Sequence, residues 1–240
     1  FNLDLMFGLP QQSLVDWQDS IRKALDLSPT HLSLYALMVE EGTPLFQDME
    51  KGVISMPDED LAADMYEWVM DFLAAEGFEQ YEISNWAKKG SVDYRCQHNL
   101  LYWRNGNYFG FGASAHSHID NLRWANQSSI FAYIQSLSEY GREEKMELPL
   151  PWVETFTPLT QKDDMSETAI MGLRLTQDGL RDDLFQEKFA KSLFTIYEKQ
   201  ISQCVKWGLL EVVESEVRAV RLTKRGRMLG NQVFLQFLLD

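Results

Sequence analysis

Leu3, Leu5 and Phe7 alternate with Asn2, Asp4 and Met6 at the head of the chain. This two-residue period predicts a strand with one apolar face. Gly8-Leu9-Pro10 supplies turn chemistry after it. Leu14, Trp17, Ile21 and Leu25 then recur at helical spacing and predict a helix from about Ser13 to Leu27. Ser13 is its expected cap, with Asp16 beside the positive helix end. Ser28-Pro29 stops the helix, and His31 to Val39 reads as a second strand. A strand–helix–strand unit of this length predicts a parallel pair with a right-handed crossover.

Glu41-Gly42-Thr43-Pro44 opens a connection over 41–56, and Pro57-Asp58-Glu59-Asp60 begins a second long helix. Leu61, Met65, Trp68, Val69, Phe72 and Leu73 give that helix a buried face, and Gly77 fits its end. Phe78 to Ser84 is a third strand and the glycine-rich Asn107 to Ser117 a fourth. Strands alternating with helices predict an α/β fold, a parallel sheet with helices outside. A barrel or half-barrel of this kind places its site at the C-terminal strand ends. Those ends are Gly8 to Gln11, Ala36 to Glu40, Glu82 to Asn85 and Ala113 to His116. From about Thr155 the pattern changes to helices near 163–174, 181–190 and 193–208. A strand pair, Leu210–Val213 and Ala219–Leu222, and a helix from Lys224 to Leu238 complete a winged-helix-like C-terminal domain. The expected division is 1–154 and 155–240.

The charge is uneven. The chain has 240 residues and a net charge of −14, and residues 1–154 hold 24 acids against 10 bases. That excess repels phosphate backbones, so nucleic acid is not an expected partner. Basic residues of the last segment cluster only at Lys224-Arg225-Gly226-Arg227, which favours a structural or protein-contact module. No run of eighteen apolar residues exists to span a membrane. Two separated cysteines, Cys96 and Cys204, read as reduced thiols of a cytoplasmic protein. The chain opens in mid-strand without an initiator Met, which reads as part of a longer protein.

Several residues stand out chemically. Asp4 is a carboxylate in an apolar strand, to be paired, solvated or used on a ligand. His98 and Tyr102 are four apart, so a helix would put both potential iron ligands on one face. Tyr102 and Trp103 offer apolar surface to a flat ring. Gly110 to His118 is rich in small residues that admit a close backbone or ligand. Its His116 and His118, with Cys96 and His98, raise a rival zinc-hydrolase reading, but the chain has only four histidines and no matching late Asp or carboxylated-Lys candidate. Glu82, Ser84 and Asn85 mark a polar strand end.

Five blocks in order carry a family resemblance. Asp4-Leu5-Met6-Phe7-Gly8-Leu9-Pro10-Gln11, Tyr81-Glu82-Ile83-Ser84-Asn85-Trp86-Ala87 and His98-Asn99-Leu100-Leu101-Tyr102-Trp103 are the first three. Gly110 to Ser117 and Arg221-Leu222-Thr223-Lys224-Arg225-Gly226 follow. Together they resemble the radical S-adenosylmethionine proteins related to oxygen-independent coproporphyrinogen III dehydrogenase, over essentially the whole chain. The resemblance implies the C-terminal half of a partial TIM-type barrel. It also implies a [4Fe–4S] cluster and S-adenosylmethionine in the whole protein.

One branch of this family decarboxylates coproporphyrinogen III. The other, HemW-like, is a haem chaperone that delivers haem to acceptor proteins, and the His98-to-Trp103 block resembles that branch. By resemblance, Asp4, Tyr35, Ala36 and His116 belong to the S-adenosylmethionine pocket. His98, Asn99, Tyr102 and Trp103 belong to the haem site, with His98 the leading iron ligand. The family's C-x3-C-x2-C loop is absent from this chain, so no cluster cysteine and no catalytic residue is assigned, and radical chemistry by this stretch alone is not expected. The reading expects Asp4, Ala36 and His116 on a common rim of side-by-side parallel strands. It also expects open strand edges that favour association.

Overall fold

The computed structural model describes residues 1–140, 148–214 and 216–239. Its first elements are β1 (Asn2–Phe7), α1 (Leu14–Asp26) and β2 (His31–Ala36). β1 and β2 pair in parallel, from Asn2 beside His31 to Phe7 beside Ala36. β2 ends three residues before the expected Val39. α1 opens on a capping box: Ser13 Oγ accepts from the Asp16 amide, and the Asp16 carboxylate accepts from the Ser13 amide at 2.9 Å.

α2 (Pro44–Glu50) leads into α3 (Glu59–Ala75), which Asp58 caps through the Leu61 amide at 3.0 Å. Gly77, at φ 81°, turns the chain after α3, where a side chain would be strained. Trp17 and Ile21 of α1 and Met65, Val69 and Leu73 of α3 bury against Leu32 and Leu34 of β2. The Trp17 indole N–H donates to the Met65 carbonyl at 3.2 Å, so this fully buried side chain has its own donor met inside the core.

The parallel arrangement stops at two strands. β3 (Phe78–Glu82) turns through Ile83-Ser84 into β4 (Asn85–Lys88), and the sheet order is β1-β2-β4-β3. β4 runs antiparallel to both neighbours, which corrects the expectation of an all-parallel sheet. Four residues are too short to show a period, and the first three, Asn85, Trp86 and Ala87, are all buried, so alternation gave no signal.

The expected strand over Asn107 to Ser117 does not form as such: after α4 (Gln97–Trp103), residues 107–115 carry only an isolated bridge, Tyr108 to His118, and only His116 and Ser117 of the stretch enter a strand. Gly112 at φ 105° and Ser114 at φ 60° bend it out of extended form. A Cβ on Gly110 would run into the His116 carbonyl, so the glycine serves close backbone approach. β5 (His116–Ile119), β6 (Leu122–Asn126), α5 (Ile130–Glu139) and β7 (Val153–Pro158) follow, and the strands form a separate antiparallel sheet, β5-β6-β7.

The C-terminal elements are α6 (Gln161–Gly172), β8 (Leu180–Arg181), α7 (Asp182–Phe189), α8 (Leu193–Ile196) and α9 (Glu198–Lys206). β9 (Leu210–Glu214), β10 (Arg218–Leu222), α10 (Lys224–Met228) and α11 (Gly230–Gln236) complete them. The sheet β8-β10-β9 supplies the expected wing. The helices expected over 193–208 and 224–238 are each split, at Tyr197 (φ −112°) and Leu229 (φ −116°). Phe185, Tyr197, Phe237, Leu210 and Val220 centre this second core. β7 runs across the 154/155 division, so a boundary after Pro158 respects the strand. The two cores interlock: Met228 packs against the first and Ile83 against the second. Lys224 Nζ adds bridges to Glu67 at 3.1 Å and Asp71 at 2.8 Å of α3.

Candidate functional site

A directed chain of hydrogen bonds joins the first strand to α4. Asn2, Asp4 and Met6 occupy the face of β1 turned away from the helices. Asn2 Nδ2 donates to the Asp4 carboxylate at 2.6 Å. The amide oxygen of Asn2 must therefore accept, and it lies 2.7 Å from Nδ1 of His31. His31 Nδ1 is then the protonated nitrogen. Its Nε2 presents a lone pair to the Tyr81 hydroxyl, 2.8 Å away. The Tyr81 oxygen accepts in turn from the Cys96 amide at 3.2 Å, and Asn99 lies against the same hydroxyl.

Every donor in this series points the same way only if His31 is neutral. Burial holds the His31 imidazole below its usual value, with the Asp4 charge opposing that shift. The Tyr81 phenol is pushed up by burial. Cys96 offers α4 no side-chain cap, so the Tyr81 hydroxyl supplies an acceptor that the helix start lacks.

Helical spacing divides the His98–Trp103 block into two faces. His98 is exposed and Tyr102 partly so; their rings meet edge to face with centroids 4.8 Å apart. Tyr108 extends the aromatic series, 4.6 Å from Tyr102. Among the described residues no hydrogen-bond partner occupies the His98 ring nitrogens, so either can bind iron. Asn99, Leu100 and Trp103 turn inward, where Leu100 and Trp103 pack with Tyr81, Ala87 and Leu175. Arg174 lies over the Trp103 ring at 4.5 Å. Asn99 and Trp103 thus seat the helix, while His98 and Tyr102 face outward.

The residues expected in the S-adenosylmethionine pocket separate. Asp4, Tyr35 and Ala36 lie on the paired strands β1 and β2. Tyr35 and Ala36 also line a cleft of about 500 Å³ at the strand ends. His116 does not share their sheet: it is an exposed residue at the start of β5, opposite Ala125. The common rim is therefore not formed. The break at Gly110 to Ser114 diverts the chain into the second sheet before His116 is reached.

His118 is buried, with its Nδ1 3.3 Å from the Gly106 carbonyl. Glu82 sits in the β3–β4 turn, where one oxygen accepts from the Ser84 amide and the Asn85 side chain. Burial raises its carboxyl above the usual range. This is the hydrogen-bonded strand end that the sequence suggests. Sequence reasoning missed His31, Asn2 and Tyr81 as a connected set. The only available signals were a lone histidine starting an apolar strand and the tyrosine of the Tyr81–Ala87 block.

The residues present do not fit an iron–sulfur cluster. Among the described residues no group of three His, Cys, Asp or Glu is placed to hold a metal. Cys96 and Cys204 are free thiols, and Cys204 is buried in the C-terminal core.

The family model of the HemN C-terminal domain matches residues 159–229. The solved structure of coproporphyrinogen III oxidase (HemN) from Escherichia coli, a radical SAM enzyme, superposes with a TM-score of 0.70, at 20% identity, over 99% of this chain and 54% of that one. The fold is thus that of the C-terminal part of a HemN-type radical SAM protein, as an open piece of the barrel.

Sequence similarity is nearer to another member. The chain is 40% identical over 237 residues to the haem chaperone HemW of Bacillus subtilis. It is 31% identical over 238 residues to HemW of Lactococcus lactis, and both alignments cover 99% of this chain. The chain belongs to the HemW/HemN family. It spans 58% of the length of each of these two relatives.

Proposed function

We propose that the protein is a haem chaperone of the HemW type, holding haem as cargo through His98 and passing it to acceptor proteins. The observation that carries this reading is α4: its exposed face presents an imidazole with no hydrogen-bond partner among the described residues, flanked by Tyr102. Such an imidazole can ligate haem iron, and Tyr102 can cover part of the macrocycle. Asn99 and Trp103 support it from below by fixing α4 on Tyr81 and Arg174. The similarity to HemW over nearly the whole chain supports the same reading. The oxidase reading has the support of fold alone.

S-adenosylmethionine and a [4Fe–4S] cluster belong to the whole protein in this proposal. Asp4, Tyr35 and Ala36 contribute to the S-adenosylmethionine site, and the cluster's cysteines come from outside this chain. No helix among the described residues is long and apolar enough to cross a membrane. The cytoplasm is the proposed compartment, where Cys96 and Cys204 stay reduced.

Haem titration tests the proposal. The chain is expected to shift the Soret band saturably, and His98→Ala to weaken binding at least roughly tenfold while the melting curve is kept. An unchanged titration in His98→Ala would remove His98 as the ligand, and no shift in either form would remove the function.

A further inference from the structure

Two arginines stand in the cleft at the strand ends, and among the described residues neither forms an ion pair. The cleft of about 500 Å³ is bounded by α3, the β3–β4 turn and the α10–α11 junction. Phe7, Leu34 and Ala36 enter it from the helix-side face of the sheet, opposite the face that carries Asp4. Arg174 and Arg227 both line it.

Among the described residues Arg174 has no hydrogen-bond acceptor. Its Nε is buried without a partner, and the guanidinium is stacked over Trp103 at 4.5 Å and Phe234 at 5.6 Å. Arg227 gives one N–H to Gln80 Oε1 at 2.9 Å, and its Nε is likewise buried and unmet. Burial lowers both guanidinium groups from their usual value. Glu82 is felt electrostatically by Arg174, but its bonded oxygen is taken by Ser84 and Asn85, and no ion pair joins the two among the described residues. Glu59 also lines the cleft but is exposed.

A guanidinium offers five donors in a fixed fork, and leaving them unmet away from water is unfavourable. Two such groups at the end of an apolar slot match one ligand chemistry: a carboxylate on an apolar body. We propose that this cleft binds a small organic carboxylate, with Arg174 and Arg227 as its counter-charges. The site is separate from His98 on α4, and Arg174 connects the two by stacking on Trp103.

Calorimetric titration of the chain with naphthoate, and with the neutral isostere naphthamide, tests this. Saturable one-to-one binding of naphthoate is expected, with naphthamide at least roughly tenfold weaker. Arg227→Gln and Arg174→Met are each expected to weaken naphthoate roughly tenfold, with the melting point of Arg227→Gln held or raised because a desolvated charge has been removed. His98→Ala, and Phe131→Ser on the exposed face of α5, are expected to leave this binding unchanged. If Arg174→Met does not fold, Arg227→Gln and Arg174→Lys decide the matter. Lysine keeps the charge but loses the fork, so intermediate affinity is expected. Equal binding of acid and amide, or an unaffected Arg227→Gln, would overturn the site. Displacement of naphthoate by S-adenosylmethionine would also overturn it, as a site distinct from that cofactor's.

Discussion

Replacing Tyr81 by Phe removes a single oxygen from the interior and strands the groups it serves. Tyr81 is 1% exposed, so no water takes the oxygen's place without a rearrangement. His31 Nε2, in a residue 8% exposed, loses its donor at 2.8 Å. The Cys96 amide loses its acceptor at 3.2 Å. Each unmet buried group costs about 1–1.5 kcal/mol net, so Tyr81→Phe should destabilise the chain by about 2–3 kcal/mol. For a chain of this length that is a fall in melting temperature of about 4–12 °C.

The loss is local as well as global. α4 has no side-chain cap of its own, so its first turn should fray. Amide exchange at Cys96 to Asn99 should quicken beyond the global effect, and any haem affinity carried by the proposed His98 site should fall with it. Thermal melts and hydrogen exchange of wild type and variant measure both. A melting temperature within about 1 °C of wild type, with unchanged exchange in α4, would show that the hydroxyl does not tie β3 to the helix.

Two further outcomes follow from the buried groups and the tight loop. His31 and His118 are held below the usual imidazole value of about 6.5, each mainly by burial, so the unfolded state binds protons first as the pH falls. Their contribution is complete above pH 6.5 and is lost below it, at up to about 1.4 kcal/mol per pH unit for each. Glu82, raised by burial, acts in the opposite sense, so the clean measurement is the difference between wild type and His118→Gln. The wild type should lose stability faster below pH 6.5, and parallel curves would refute the assignment. Gly110→Ala forces a Cβ onto the His116 carbonyl and should destabilise by about 2–3 kcal/mol, with the Tyr108–His118 bridge lost first; a neutral result in denaturant melts would contradict the close approach.

The local elements of the first unit were legible because each carries a complete short-range signal. Alternation at Leu3, Leu5 and Phe7, the Ser13–Asp16 capping box and the stripe from Leu61 to Leu73 all became structure where the pattern placed them. The wing of the C-terminal domain was legible for the same reason. The order of five motif blocks was enough to place the family. What the pattern could not carry was anything set by partners distant in sequence. Strand direction at β4 depends on which neighbours it pairs with, and four mostly buried residues give no period to read.

His116 was expected beside Asp4, but backbone turns at Gly112 and Ser114 carry it into another sheet. The relay from Asp4 to Cys96 joins residues 4, 2, 31, 81 and 96, and the cleft joins Arg174 and Arg227 to β2. Sequence fixes each segment's own conformation through propensity and period. Only the folded chain decides which polar groups are left facing each other away from water, because that depends on burial, and burial is a property of the assembled whole.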